Sequence, residues 1–186
     1  MSPYDRILVP IDGSESAERG LMEAIRLAPQ LGARLHLLHV IDANPALVDA
    51  ASARDREKLL LSMRTLAQDL LGRAQLLAGA AGVAADPAVR ETTSQRVADL
   101  VVDEAGLADC GLIVMGTHGR RGISRLAMGS DAEEVVRKSP VPVLLVRHPD
   151  VVPLQAGGSA VATAVAGGAQ AHAATHGIGC QPRSIR

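Results

Sequence analysis

Short aliphatic runs, each the length of a strand, recur along this chain with longer helical patterns between them, and that alternation limits the fold most. RILVPI (6–11), RLHLLHVID (34–42), LIVM (112–115) and VPVLLV (141–146) are rich in Val, Ile and Leu. They are apolar nearly throughout, as expected of strands covered by helices on both faces. A weaker run spans residues 83–90, where Pro87 disfavours a central strand. From Ser16, Ala17, Leu21, Ala24, Ala28 and Leu31 recur at helical spacing, and Gly32 is a natural stop. A long helical pattern occupies 46–78 after the Asn44-Pro45 break, and a shorter one spans 94–106 with Val97, Val101 and Ala105 on one face. A last helix is expected to start at Ser130. Strands alternating with helices predict an α/β fold, an open parallel five-stranded sheet with helices on both faces.

The 186 residues suffice for one well-cored domain. Hydrophobic residues make up 47% of the chain, yet Tyr4 is its one aromatic residue, so the core must be aliphatic. Without aromatic platforms a single-stranded nucleic-acid surface has no stacking partners. Nineteen basic residues face twenty acidic ones, and no basic run stands out, so neither nucleic acid nor a membrane surface is an expected partner. No apolar segment reaches the roughly 18 residues of a membrane span. The first strand begins at Arg6, which leaves no room for a signal peptide, and two cysteines make no disulfide framework. A cytoplasmic setting is expected.

After His148-Pro149 the composition changes. Residues 151–186 are dominated by Ala and Gly, lack Asp and Glu, and carry only Arg183 and Arg186 as charges. The expected organisation is a domain over 1–149 and a flexible Ala/Gly-rich tail over 150–186. His172, His176 and Cys180 recur at four-residue steps in the tail. Three such ligands could hold zinc or copper, but a closed site needs more, and chance spacing is the preferred reading. His36 and His39 in the second strand read as partly buried residues, and Cys110 as a buried, inert thiol.

The candidate chemistry lies where LIVM runs into a loop with glycines at 116, 119, 122 and 129 and then into the helix at Ser130. Glycines let backbone N–H groups approach an anion, and a helix start supplies free N–H groups and a favourable dipole. Ligands of open parallel sheets sit beyond the carboxyl ends of strands, where strand order reverses. The first strand ends in Pro10, Asp12 and Gly13, so Asp12 could meet a ribose or base edge if strands one and four are neighbours. Structural alternatives stand beside these readings. Ser130-Asp131-Ala132-Glu133 would serve as a capping box on any helix. Gly116 and Gly119 could form a simple turn, and Asp12-Gly13-Ser14 an ordinary loop. His118, Arg121 and Arg125 could contact phosphate or be solvated. A P-loop, a GxGxxG after the first strand, HExxH, GxSxG and CxxC are all missing from the sequence.

Over about residues 3–148 the sequence resembles the universal stress protein family, in its nucleotide-binding branch. The resemblance rests on the opening ILVPIDGSE, on GLIVMGTHG, on the spacing Gly116-x2-Gly119-x9-Gly129-Ser130, and on the closing VPVLLVR. It implies a Rossmann-like, adenine nucleotide alpha hydrolase-like fold with strand order 3-2-1-4-5. It implies that Pro10, Asp12 and Val40 line an adenine and ribose site. Met115, Gly116, Gly119, Gly129 and Ser130 would contact ribose and phosphates, with Arg120 nearby. It also implies a homodimer joined through the last strand, residues 141–147. Asp131 stands where many relatives have Val; it would repel bare ATP or help to hold Mg²⁺. Hydrolysis needs a positioned water and charge stabilisation at the γ-phosphate, for which only Asp131 or His118 offers a base beside the loop. The expected function is therefore an ATP-binding regulatory module with an unidentified protein partner. A slow Mg-dependent ATPase or nucleotidyl-transfer enzyme, and a nucleotide-free interaction protein, are the alternatives.

Overall fold

A computed structural model describes residues 3–43, 53–118 and 128–147. In chain order its elements are β1 (Arg6–Pro10), α1 (Glu15–Leu31), β2 (Arg34–Asp42), α2 (Ala53–Ala80), β3 (Ala85–Thr92), α3 (Val97–Leu107), β4 (Leu112–Gly116), α4 (Ser130–Lys138) and β5 (Val143–Val146). The strands form one sheet in the order β3-β2-β1-β4-β5, and every neighbouring pair is parallel. The expected fold class and strand order are both observed. The tail, including His172, His176 and Cys180, lies outside the described residues, as do 46–52 of the expected second helix.

Residues Ile7, Leu8 and Val9 of β1 are fully buried. Successive side chains point to opposite faces of a strand, so burying all three requires cover on both sides. Ile7 and Val9 join Leu21, Ala24, Ile25 and Ala28 of α1 and Leu71, Ala74 and Ala78 of α2 in one cluster. Leu8 joins Ala98, Val101 and Ala105 of α3 and Ala132 and Val135 of α4 in the other. The helix faces expected from periodicity in α1 and α3 are the faces that pack.

Helix α1 begins where the Ser14 side chain accepts a hydrogen bond from the Ala17 N–H, 3.1 Å away. It ends at Gly32, whose φ of 64° is left-handed backbone that glycine adopts without strain. Strand β3 is an edge strand, which explains how it tolerates Pro87: the missing N–H removes no bond from the interior of the sheet. Cys110 is buried in the second cluster, and burial pushes its thiol up to about 11, as an inert core thiol requires.

Glu104 breaks the apolar pattern of α3: it is 1% exposed. Its Oε1 lies 2.7 Å from His36 Nε2 on β2, and its Oε2 lies 2.7 Å from Arg90 Nε on β3. Arg90 also donates from an η nitrogen to Oε1 at 3.0 Å. The partly buried role expected of His36 is thus that of a partner to a buried carboxylate joining α3 to two strands. Removing Glu104 takes the carboxylate from the largely buried His36 ring and from Arg90, whose own side chain is 43% exposed. Glu104→Ala should lower the unfolding free energy by about 3 kcal/mol in urea titrations, well above the sub-kilocalorie cost of an exposed pair.

Candidate functional site

The carboxyl end of the sheet places the expected site residues. Strand β1 pairs with β2 up to Pro10↔Leu38, but with β4 only from Ile7↔Leu112 to Leu8↔Ile113. Beyond Leu8 the paired ladder continues on one side alone, and strand order reverses at this boundary, where ligands of such sheets bind. The β2 side is continued by the Ile11 N–H, which donates to Leu38 O at 2.7 Å. His39, buried in the interior strand β2 where a partly buried or edge residue is expected, lies with Nδ1 2.6 Å from Ile11 O and fixes that carbonyl. Two residues further along each strand stand Asp12 and Val40, both half-buried. Asp12 Oδ1 accepts a hydrogen bond from the Ser14 N–H at 2.9 Å, the turn its side chain favours. Pro10 closes β1 on the same rim.

On the other side β4 ends with Met115 and Gly116, both buried. Thr117 is buried at the exit, and its N–H donates to Val146 O of β5 at 3.2 Å. The Gly129 N–H then donates to Thr117 O at 2.9 Å. The described chain therefore resumes, after residue 118, with Gly129 bonded back to the residue that follows β4. Gly119, Arg120, Arg121 and Arg125 lie outside the described residues.

The start of α4 differs from a capping box. Gly129, not Ser130, is the N-cap, and the Glu133 N–H bonds to Gly129 O. A box needs Ser130 at the cap and Glu133 three residues on; the shift by one residue takes both out of position. A glycine cap has no side chain to offer the first-turn N–H groups, and Ser130 instead presents an exposed hydroxyl at the first helical position. The first turn also carries Asp131 and Glu133. At the far end Lys138 bonds Asp99 of α3 at 2.7 Å and Glu134 at 3.0 Å, tying α4 to α3. The hydrogen bond from Lys138 holds the Glu134 carboxyl below the usual carboxylate range.

Two features of the site were not among the expected residues. Gly20 sits in mid-helix, where glycine is unfavourable, and a Cβ there would lie 3.0 Å from Gly116 N. Ser16 accepts a hydrogen bond from the His118 N–H at 3.2 Å. The isolated glycine in a helical pattern is a sequence signal for close packing; Ser16 leaves none beyond its place in the first turn. Among the described residues no group of three or more His, Cys, Asp and Glu is placed to hold a metal ion.

This arrangement can offer a carboxylate to hydroxyl groups on one side of the strand boundary and a helix start to an anion on the other. It defines a Rossmann-like α/β domain with a candidate ligand site at the carboxyl rim. The family model for the universal stress protein family matches residues 3–147. A universal stress protein of Methanocaldococcus jannaschii is 30% identical over 146 residues, covering 78% of this chain and 84% of its own length. The structure of a universal stress protein family member from Burkholderia pseudomallei is 31% identical, with a TM-score of 0.66, over 80% of this chain and 99% of that one. A universal stress protein solved in complex with cAMP is 26% identical, with a TM-score of 0.52, over 77% and 97% of the two chains. The chain belongs to the universal stress protein family.

The tightest contact at the rim gives a direct check. A Cβ on Gly116 would run into the carbonyl and hydroxyl oxygens of Ser16. Gly116→Ala should cost about 2 kcal/mol by overpacking and lower the melting temperature by roughly 5 °C, read by thermal denaturation without ligand.

Proposed function

We propose that this chain binds an adenine nucleotide, ATP foremost, and acts as a binding and regulatory module of a stress response. The observation that carries the reading is the bond of Gly129 to Thr117, which returns a helix start without a side-chain cap to the exit of β4. The complex of a family member with cAMP supports it. In this reading Asp12 accepts hydrogen bonds from the ribose, with Pro10 and Val40 lining the base. Met115 and Gly116 back the ribose, and Gly119, Arg120, Gly129 and Ser130 hold phosphate. A phosphate drawn to α4 meets Asp131 in the first turn, so Mg²⁺ accompanies ATP to offset that charge. The nucleotide-binding unit is residues 1–149, it works in the cytoplasm, and the 150–186 tail serves another purpose.

Titration calorimetry with ATP, AMP and cAMP tests the reading. Saturable binding is expected, weakened about tenfold in Ser130→Ala through loss of one hydrogen bond to a charged group and abolished in Gly129→Val. Nucleotide at 100 times its Kd should add about 2.7 kcal/mol to the stability. No heat and no thermal shift with any of the three would sink the proposal in favour of a nucleotide-free interaction protein. Multiple-turnover phosphate release that disappears in Ser130→Ala would instead make the chain a Mg-dependent ATPase.

The same reading includes a homodimer through residues 141–147. Among the described residues strand β5 is a sheet edge, and Leu144 on it is 37% exposed. Light scattering should give a dimer for the natural chain and a monomer for Leu144→Lys, since lysine on an edge opposes strand pairing; a natural chain that elutes as a monomer refutes the dimer.

A further inference from the structure

Between the two halves of the candidate site runs a short segment, Asp12 to Gly20, whose contacts reach both. Asp12 bonds the Ser14 N–H, and Ser14 bonds the Ala17 N–H, so the carboxylate and the first turn of α1 form one hydrogen-bonded unit. From that turn the Ser16 hydroxyl accepts the N–H of His118, the residue at which the glycine loop departs. One turn later Gly20 lies against the backbone of β4: a Cβ there would be 3.0 Å from Gly116 N and 3.2 Å from Met115 Cα. Both ends of the approach are glycines, and the atoms a side chain would meet are backbone atoms, which yield little. The loop start is held from two further directions by the bonds of Thr117 to Val146 and of Gly129 to Thr117.

We propose that Ser16 and Gly20 are positioning residues: they set where the Gly116–His118 backbone begins the phosphate loop, and so couple the Asp12 side of the site to the loop side. The inference rests on the nucleotide reading above and adds two residues that touch no ligand themselves. Their effect is geometric. An anion-binding loop works through backbone N–H groups whose spacing must match the phosphate oxygens, and small displacements of a positioned group weaken binding steeply. Ser16 fixes the direction of the His118 N–H, and Gly20 fixes the depth at which α1 meets β4.

The test uses the full chain in four forms: natural, Ser16→Ala, Ser16→Thr and Gly20→Ala. Amide hydrogen exchange of His118 is followed without ligand, ATP affinity by calorimetry, and stability by melting temperature. Ser16→Ala should speed exchange at His118 at least tenfold and weaken ATP about tenfold while the melting temperature stays within a few degrees. Ser16→Thr, which restores the hydroxyl, should restore both. Gly20→Ala separates binding from stability, because alanine's helix preference offsets the strain of a Cβ 3.0 Å from Gly116 N, while a shift of a few tenths of an ångström at the end of β4 remains. It should weaken ATP at least fivefold without a matching fall in melting temperature. Natural-type ATP affinity in both Ser16→Ala and Gly20→Ala overturns the proposal and leaves the nucleotide reading standing. Absence of ATP binding by the natural chain overturns both, and the exchange data then report only how the loop is held. A loss of affinity in Ser16→Ala that Ser16→Thr does not repair also overturns it.

Discussion

The burial of β1 on both faces is the constraint from which the rest of the structure follows. Three consecutive residues, Ile7, Leu8 and Val9, have no exposure, and their side chains must alternate between two sides. Fully burying each such side chain is worth about 1.5–3 kcal/mol, so neither face of the strand can be left to water. One face takes α1 and α2, the other α3 and α4. With one tyrosine and no Phe or Trp in the chain, no large ring can bridge a gap. Small residues on the helix faces (Ala24, Ala28, Ala74, Ala78, Ala98 and Ala105) bring the helices down onto the sheet instead.

That layered cover also decides where a ligand can go. The chain runs from β1 through α1 to β2 on one side and from β4 through α4 to β5 on the other. The connections leave β1 and β4 in opposite directions, and the β1–β4 ladder stops at Leu8 while the β1–β2 ladder runs on to Pro10. The rim between the two strands is thus the switch point of this sheet order. Helix α1 leans into it, because glycines at 20 and 116 let the helix and strand backbones meet. The site is shaped by packing before any ligand chemistry enters.

Most of this architecture was legible in the sequence because its signals are strong where burial is complete. The apolar runs of β1, β2 and β4 needed nothing beyond their composition, and the glycine at 32 stopped α1 where expected. β3 was harder to read, since Pro87 argues against a central strand without saying that an edge strand accepts it. Its position became clear only from the sheet order. Glu104 was invisible for a related reason: a carboxylate on a helix reads as solvated until Arg90 and His36, distant in sequence, arrive beside it. The start of α4 at Ser130 was read correctly but a capping box there is not observed, because Ser-x-x-Glu is a cap pattern wherever it occurs, whereas the bond from Gly129 to Thr117 is a tertiary contact. Ser16 was missed because its partner is a backbone N–H, which carries no residue signature.

The charges around the rim sharpen what the site must rely on. The first turn of α1 carries Glu15 and Glu18, and that of α4 carries Asp131 and Glu133. Acidic residues there already offset the partial positive charge of each helix start, each by some tenths of a kilocalorie per mole. At Ser130 the helix dipole is thus partly offset within its own first turn, and charges further away than a Debye length of about 8 Å at physiological salt are largely screened. What α4 itself offers is short-range: N–H groups and the Ser130 hydroxyl, effective only at hydrogen-bond distance and in the right direction. Among the described residues, the backbone at this rim is pinned to backbone and to the Ser16 hydroxyl. The hydrogen bonds at Thr117, His118 and Gly129, and the two glycines that let α1 close on β4, therefore fix the direction in which the first N–H groups of α4 and the Ser130 hydroxyl point.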